Sequence, residues 1–349
     1  GTVLLVYFNS SLFFSASSNE TPGEPQQVAW QFEYKGLRHF IPTIYRFPKG
    51  VVWDVLTPLD SNLLLEFYQS YASCEDSLSP LEEELIRQKH PYQHLSLFSL
   101  KIDDCFIENF HFSSTILGNL PWMDQESQTD KMAEQSLRQA YSEILSCSSC
   151  FGCQRFCAPY FKKMRRPLKP VSSLSFVLRQ EPELLPLLET SYRFVMAQGG
   201  VQGFSFVHPR TGMLHTVWLQ QVKQQKLSQL FRFSPFSVTT GKYEVEPPLN
   251  PQESLRFSQA MPESVRTPFA GKNACSIGII GGADGPTAVL VTEKEPVNPL
   301  GVHGLPLFSC VARPSTEYPD SCPEFVLEAI LSHFQHQESF SFLSRLSCS

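Results

Sequence analysis

Cys147-x2-Cys150-x2-Cys153-x3-Cys157 places four thiols within eleven residues, the densest set of soft-metal ligands in the chain. This is the spacing of bacterial ferredoxin-type iron–sulfur sites, where thiolates on a compact loop converge on one cluster and the fourth serves another. Here Ala158-Pro159 follows the last cysteine, and no second run of the kind occurs. Zinc is the competing metal, and its tetrahedron would recruit a distant ligand such as Cys74, Cys105, Cys275 or His111. A Ser/Cys-rich loop with free thiols or a local disulfide fits the same residues. The cofactor expectation is an iron–sulfur cluster or zinc on Cys147, Cys150, Cys153 and Cys157, with metal-dependent redox chemistry as the corresponding function.

The second chemical signal is the glycine-rich run from Ser276 to Val291, two apolar strand-like stretches around a loop. Gly281, Gly282 and Gly285 open backbone angles closed to other residues, and Pro286 pushes Gly285 toward an extended conformation. Such a loop aims successive carbonyls or N–H groups at one point, while Asp284 adds a carboxylate and Thr287 a hydroxyl. The expected site is an ion-binding loop of Gly281, Gly282, Asp284, Gly285 and Thr287; a tight Asp-Gly turn between two buried strands is the plainer reading. The G-x-G-x-x-G spacing of a dinucleotide fold is absent.

Gly278-Ile-Ile-Gly-Gly-Ala-Asp-Gly-Pro-Thr287 resembles the signature of the β subunits of sodium-ion-translocating decarboxylases, the biotin-dependent pumps for oxaloacetate, glutaconyl-CoA and methylmalonyl-CoA. The resemblance covers residues 276–291 and implies that Asp284 lies on the pathway coupling sodium movement to decarboxylation of carboxybiotin, with the glycines exposing backbone carbonyls to the ion. Those subunits carry many transmembrane helices, and this chain has no stretch of 18 or more apolar residues. The expected function is therefore binding or interaction and not pumping. A component of such a decarboxylase whose membrane part lies outside this sequence is the other reading of the motif.

The elements that position these residues are set by composition and periodicity. With 349 residues, 42 % hydrophobic and 18 % charged, the chain has enough apolar surface to fold, and its 27 prolines exclude a long helical rod. A net charge of −6 argues against a nucleic-acid-coating protein, although Lys162, Lys163, Arg165, Arg166 and Lys169 form a local patch that could dock an acidic protein. Ten cysteines fall short of a disulfide scaffold and point to a reducing, cytoplasmic compartment; a signal sequence upstream of Gly1 would instead direct export. The expected fold class is α+β, two soluble domains with mainly antiparallel sheets and a few packed helices.

Residues 1–27 read as an apolar strand or signal remnant plus linker, 28–125 as an α+β domain, 126–170 as helix, cysteine cluster and basic linker, and 171–349 as a second α+β domain. Asp60 caps a helix with Leu64, Phe67, Tyr68 and Tyr71 on a core stripe, and Ser79-Pro80-Leu81-Glu82 is a capping box. Residues 95–102 and 105–112 read as strands around an Asp103-Asp104 turn, and a helix from Thr129 or Asp130 carries Leu137, Tyr141, Ile144 and Leu145 into the cysteines. Leu184, Leu188, Tyr192 and Val195 predict a helix, 201–207 and 214–219 a hairpin, and Pro323 onward a final helix bearing His333 and His336 at i, i+3. His208 and His215 bracket the hairpin turn without a nucleophile beside them.

Overall fold

The computed structural model describes residues 4–14, 16–17, 19–71, 78–120, 127–160, 168–187, 193–195, 200–227, 236–260, 299–312 and 324–345. Antiparallel sheets dominate and helices are few. Among the described residues no helix is long and apolar enough to cross a membrane. The chain packs as two units, the first running to Gln180 and resuming at His336, the second drawn from the chain between them.

In the first unit β1 (Glu24–Tyr34), β2 (Leu37–Phe47) and β3 (Gly50–Leu59) form an antiparallel meander, followed by α1 (Ser61–Tyr71) and α2 (Pro80–Lys89). Then come β4 (Leu97–Ile102), β5 (Cys105–Phe106), β6 (His111–Gly118), α3 (Gln128–Ala140), α4 (Ser142–Leu145), β7 (Cys150–Pro159) and β8 (Ser173–Leu178). The strands make two sheets, β1-β2-β3-β7-β6 and β17-β8-β4-β5, the last strand β17 (Ser339–Leu343) arriving from the far end of the chain. Alternation along β3 explains the layering: Val51, Trp53 and Val55 face the second sheet, while Val52, Asp54 and Leu56 face the opposite side. Between the sheets Trp53 stacks on Phe156 at 5.1 Å, Phe32 meets Phe340 at 4.6 Å and Trp30 meets Phe342 at 5.2 Å.

The other face of the large sheet is also covered. Leu137 of α3, Tyr141 and Leu145 of α4 pack with Leu56, Leu117, Phe151 and Cys153. Beside them the N-terminal segment lies as an irregular strap, with Val6 buried among Tyr45, Phe47, Val52 and Cys157. The strap is pinned by Gly23 N–H donating to the Val6 carbonyl at 2.8 Å and by the Ser113 hydroxyl donating to the Ser10 carbonyl. Double-sided burial makes β3 and β7 almost wholly inaccessible.

The second unit contains β9 (Glu183–Pro186), β10 (Arg193–Val195), β11 (Gln202–Val207), β12 (Leu214–Leu227), β13 (Phe236–Glu246), β14 (Glu253–Ala260), β15 (Phe308–Ala312) and β16 (Glu324–Ser332). They form the sheets β11-β12-β13-β15 and β10-β16-β14, with β9 also on β16. Leu185, Phe194, Phe206, Val217, Leu219, Tyr243, Phe257, Leu327 and Ile330 build a common core.

Several expectations hold. The capping box of α2 is present, with Glu82 N–H on the Ser79 hydroxyl and the Glu82 carboxylate on Ser79 N–H. The hairpin β11–β12 pairs Val207 with Leu214, and Asp103 and Asp104 take positive φ at the β4–β5 turn. Others are corrected. The described parts of 184–195 are strands, because Pro182 and Pro186 flank Leu184-Leu185 and leave no room for a helix. The final helix is β16, a central strand whose apolar run is buried on both faces and so lacks strand alternation. His333 therefore ends a strand, its N–H on the Gln252 carbonyl, and His336 is exposed beyond it. Segment 4–14 is a strap and not a strand, and on α1 only Leu64 is fully buried while Tyr68 is exposed.

Candidate functional site

The four cysteines do not converge. Cys147 is exposed in the turn after α4, while Cys150, Cys153 and Cys157 are buried in β7. Parity puts Cys150 on one side, among Leu59, Leu64 and Leu120, and Cys153 and Cys157 on the other. Four residues of strand separate those two by about 13 Å. Among the described residues no three His, Cys, Asp or Glu side chains gather as a metal site. The expected single-metal geometry on this run is corrected accordingly: regular strand geometry replaces the ligand-bearing loop. Cys105 is exposed on β5, and His111 opposes Cys157 in the β6–β7 register. Burial raises the Cys150 and Cys153 thiols and lifts Cys157 to about 11, holding them protonated at neutral pH.

Gly281, Gly282, Asp284, Gly285 and Thr287 lie outside the described residues, as do Lys162, Lys163, Arg165 and Arg166 of the basic patch; Lys169 is exposed.

What β7 does place is Arg155, directly opposite Asp54 of β3 in the antiparallel register. Its Nε donates to Asp54 Oδ1 at 2.7 Å and its Nη2 to Oδ2 at 2.9 Å. The Tyr141 hydroxyl donates to Asp54 Oδ2 at 3.2 Å and sits 2.7 Å from the Tyr45 hydroxyl. Burial opposes the guanidinium charge, but the Asp54 carboxylate more than offsets it and the group stays protonated. Burial followed by the Asp54 charge pushes the Tyr45 phenol up to about 12 and Tyr141 well above its ordinary value.

A cavity of about 370 Å³ opens over this network, within the size range of ligand pockets. Its walls are the strap residues Leu4, Leu5, Leu12, Phe13 and Phe14 and the α3 residues Met132, Ala133 and Leu137. Tyr7, Ser11, Gln128, Thr129 and Ser136 add polar groups, and Arg155 is the one charged side chain among the described lining residues. Ser127 caps α3 by accepting from Asp130 N–H, which fixes the helix edge of the cavity. Arg138 fixes the other end: it donates to the Leu145, Ser148 and Ser149 carbonyls at 2.7–3.0 Å and so holds the turn feeding β7.

Asp54 and Arg155 escape the motif search because neither belongs to a recognisable spacing. The available signal is a single acid inside Val51-Val52-Trp53-Asp54-Val55-Leu56 and a single base inside Cys153-Gln154-Arg155-Phe156-Cys157. Charges in apolar strand runs require each other.

In the second unit, buried His208 donates through Nε2 to Glu253, while its Nδ1 accepts from Arg210 N–H at 3.1 Å and Thr211 N–H at 3.3 Å. His215 Nδ1 lies 2.7 Å from the Pro247 carbonyl. The His208 contacts hold the hairpin turn, and the His215 contact ties β12 to the segment after β13.

Comparison with protein-family models, curated proteins and solved structures finds no match to the chain.

Proposed function

We propose that the protein acts by binding and not by catalysis, and that its site is the cavity between the N-terminal strap and α3. One observation carries this reading: a pocket of ligand size, lined by a mixture of apolar and polar side chains, has a single buried cation among its described lining residues. Pockets that are apolar with a few placed polar groups are built to hold small molecules in one orientation. The side chains around it are suited to holding and not to reacting. Arg155 in the lining stays charged, and behind it Tyr45 and Tyr141 stay protonated and Cys153 is buried with a raised pKa, so none of these groups is a base or nucleophile poised near neutrality.

Binding agrees with the interaction role expected from a decarboxylase-like loop without a membrane path. The metal-dependent redox reading loses support with the separation of the cysteines on β7.

The neutral dye Nile red tests the proposal. The expected result is saturable fluorescence enhancement on the full chain that falls at least about tenfold in affinity with Ser136→Trp, an exposed lining position where an indole fills the space without entering the core. Undiminished binding by the folded variant would move the site elsewhere, and no saturable binding by the parent protein would remove the proposal.

A further inference from the structure

We infer that the cavity selects amphiphiles with a carboxylate head, held by the unused edge of the Arg155 guanidinium; this rests on the binding reading above. A guanidinium carries five N–H donors. Asp54 takes two of them, one on Nε and one on Nη2, and among the described residues no other group accepts from Arg155. Both Nη1 protons and the second Nη2 proton are left over, and they form a second fork with the geometry that a carboxylate fits. The side chain is only 8 % exposed and lines the cavity, which opens to solvent on one side, so a ligand reaching these donors displaces water from them.

The rest of the lining limits the partner further. Among the described residues no Asp or Glu lines the cavity, so a bound anion meets no facing carboxylate from them. Asp54 sits behind the guanidinium and makes the pair formally neutral, which favours a monoanion over a doubly charged phosphate head. Leu4, Leu5, Leu12, Phe13, Phe14 and Met132 offer an apolar wall to the tail. A cationic head would meet a charge of the same sign at Arg155. A neutral head would make weaker hydrogen bonds to the fork than an ionised one.

The test is displacement of Nile red by a chain-matched series at pH 8: laurate, lauryl alcohol, laurylamine and lauryl phosphate. Laurate is expected to displace at a concentration about tenfold below the alcohol and below the phosphate, and the amine to be weakest. Arg155→Lys, which keeps the charge and loses the fork, should reduce the laurate advantage over the alcohol to less than about threefold. Where that variant does not fold, Ser136→Asp puts a carboxylate on the exposed lining and should weaken laurate while sparing the alcohol. Equal displacement by laurate and alcohol, or stronger displacement by phosphate or amine, overturns the head-group inference and leaves the cavity as a binding site. Failure of Nile red and of every amphiphile to bind overturns both.

Discussion

Asp54 and Arg155 oppose each other across β3 and β7 and close a side-on ion pair between two strands that are buried along almost their whole length. Their stabilities are interdependent. Removing one leaves the other buried and uncompensated, at a cost of about 3–5 kcal/mol, whereas neutralising both together costs far less. Urea unfolding of Arg155→Ala, Asp54→Ala and the double variant Asp54→Asn/Arg155→Gln should show the double variant as the most stable of the three. Equal midpoints would mean that the pair is not coupled.

The strap depends on Val6, which is wholly buried. Val6→Ala removes two methyl groups for one and should cost about 1–2 kcal/mol. Hydrogen exchange at Gly23, whose N–H is bonded to the Val6 carbonyl, should speed up while exchange in β14 stays unchanged. A uniform change across both strands would contradict a local role for the strap.

Alkylation of the native protein should label Cys105 and Cys147 quickly and spare Cys150, Cys153, Cys157 and Cys310. Burial keeps the last four protonated, Cys310 being lifted to about 12. Peptide mass spectrometry reads the pattern, and added zinc should leave it unaltered. Protection of Cys147 by zinc would show that metal draws the run away from its strand geometry.

His39 is buried on β2, with Nδ1 2.7 Å from the Thr57 hydroxyl and its ring stacked on Phe32. Burial lowers its pKa from 6.5 to about 4, against a smaller opposing effect of a backbone hydrogen bond at Tyr34. The unfolded chain therefore binds this proton at a higher pH than the folded one does. Its contribution to stability is complete above about pH 6.5 and is lost as the pH falls toward 4. His39→Gln should flatten the stability profile in that window; parallel profiles for parent and variant would refute the assignment.

Glu244 is buried on β13 and gathers the loop before β15, accepting from Gln220 at 2.7 Å, His303 N–H at 2.9 Å and Leu305 N–H at 3.2 Å. A Cβ at Gly301 would fall on its carboxyl group. Gly301→Ala should lower the melting temperature and weaken the Trp218–His303 stacking, now 4.2 Å between centroids, visibly in tryptophan fluorescence. Gly304→Ala is the contrast, since its cost is confined to a positive φ with open space around the Cβ. Equal effects of the two would deny the packing role of Gly301.

Local rules were legible where one segment decides its own structure. Ser79 to Glu82 carries its cap within four residues, and the β11–β12 hairpin carries its turn within one loop. The sequence was misleading where a distant strand decides. Val326 to Ile330 reads as helical because buried side chains fall on both faces of the central strand, and only the assembled sheet reveals that. The same is true of the cysteines: an x2 spacing looks like a ligand loop, yet in an extended chain it alternates sides. Asp54 and Arg155 become a site only through a register linking positions far apart in sequence.

The placement of β17 has a consequence for the order of synthesis. Phe340 and Phe342 fill the space against Trp30, Phe32 and Phe176, and the Trp30 indole donates to the Leu343 carbonyl at 3.2 Å. A ribosome makes β1 through β8 first and must then release every strand of the second unit before these residues emerge. Until then these aromatic residues of the first unit lack their β17 partners, so nascent chains arrested before Ser339 should bind chaperones that recognise apolar surface.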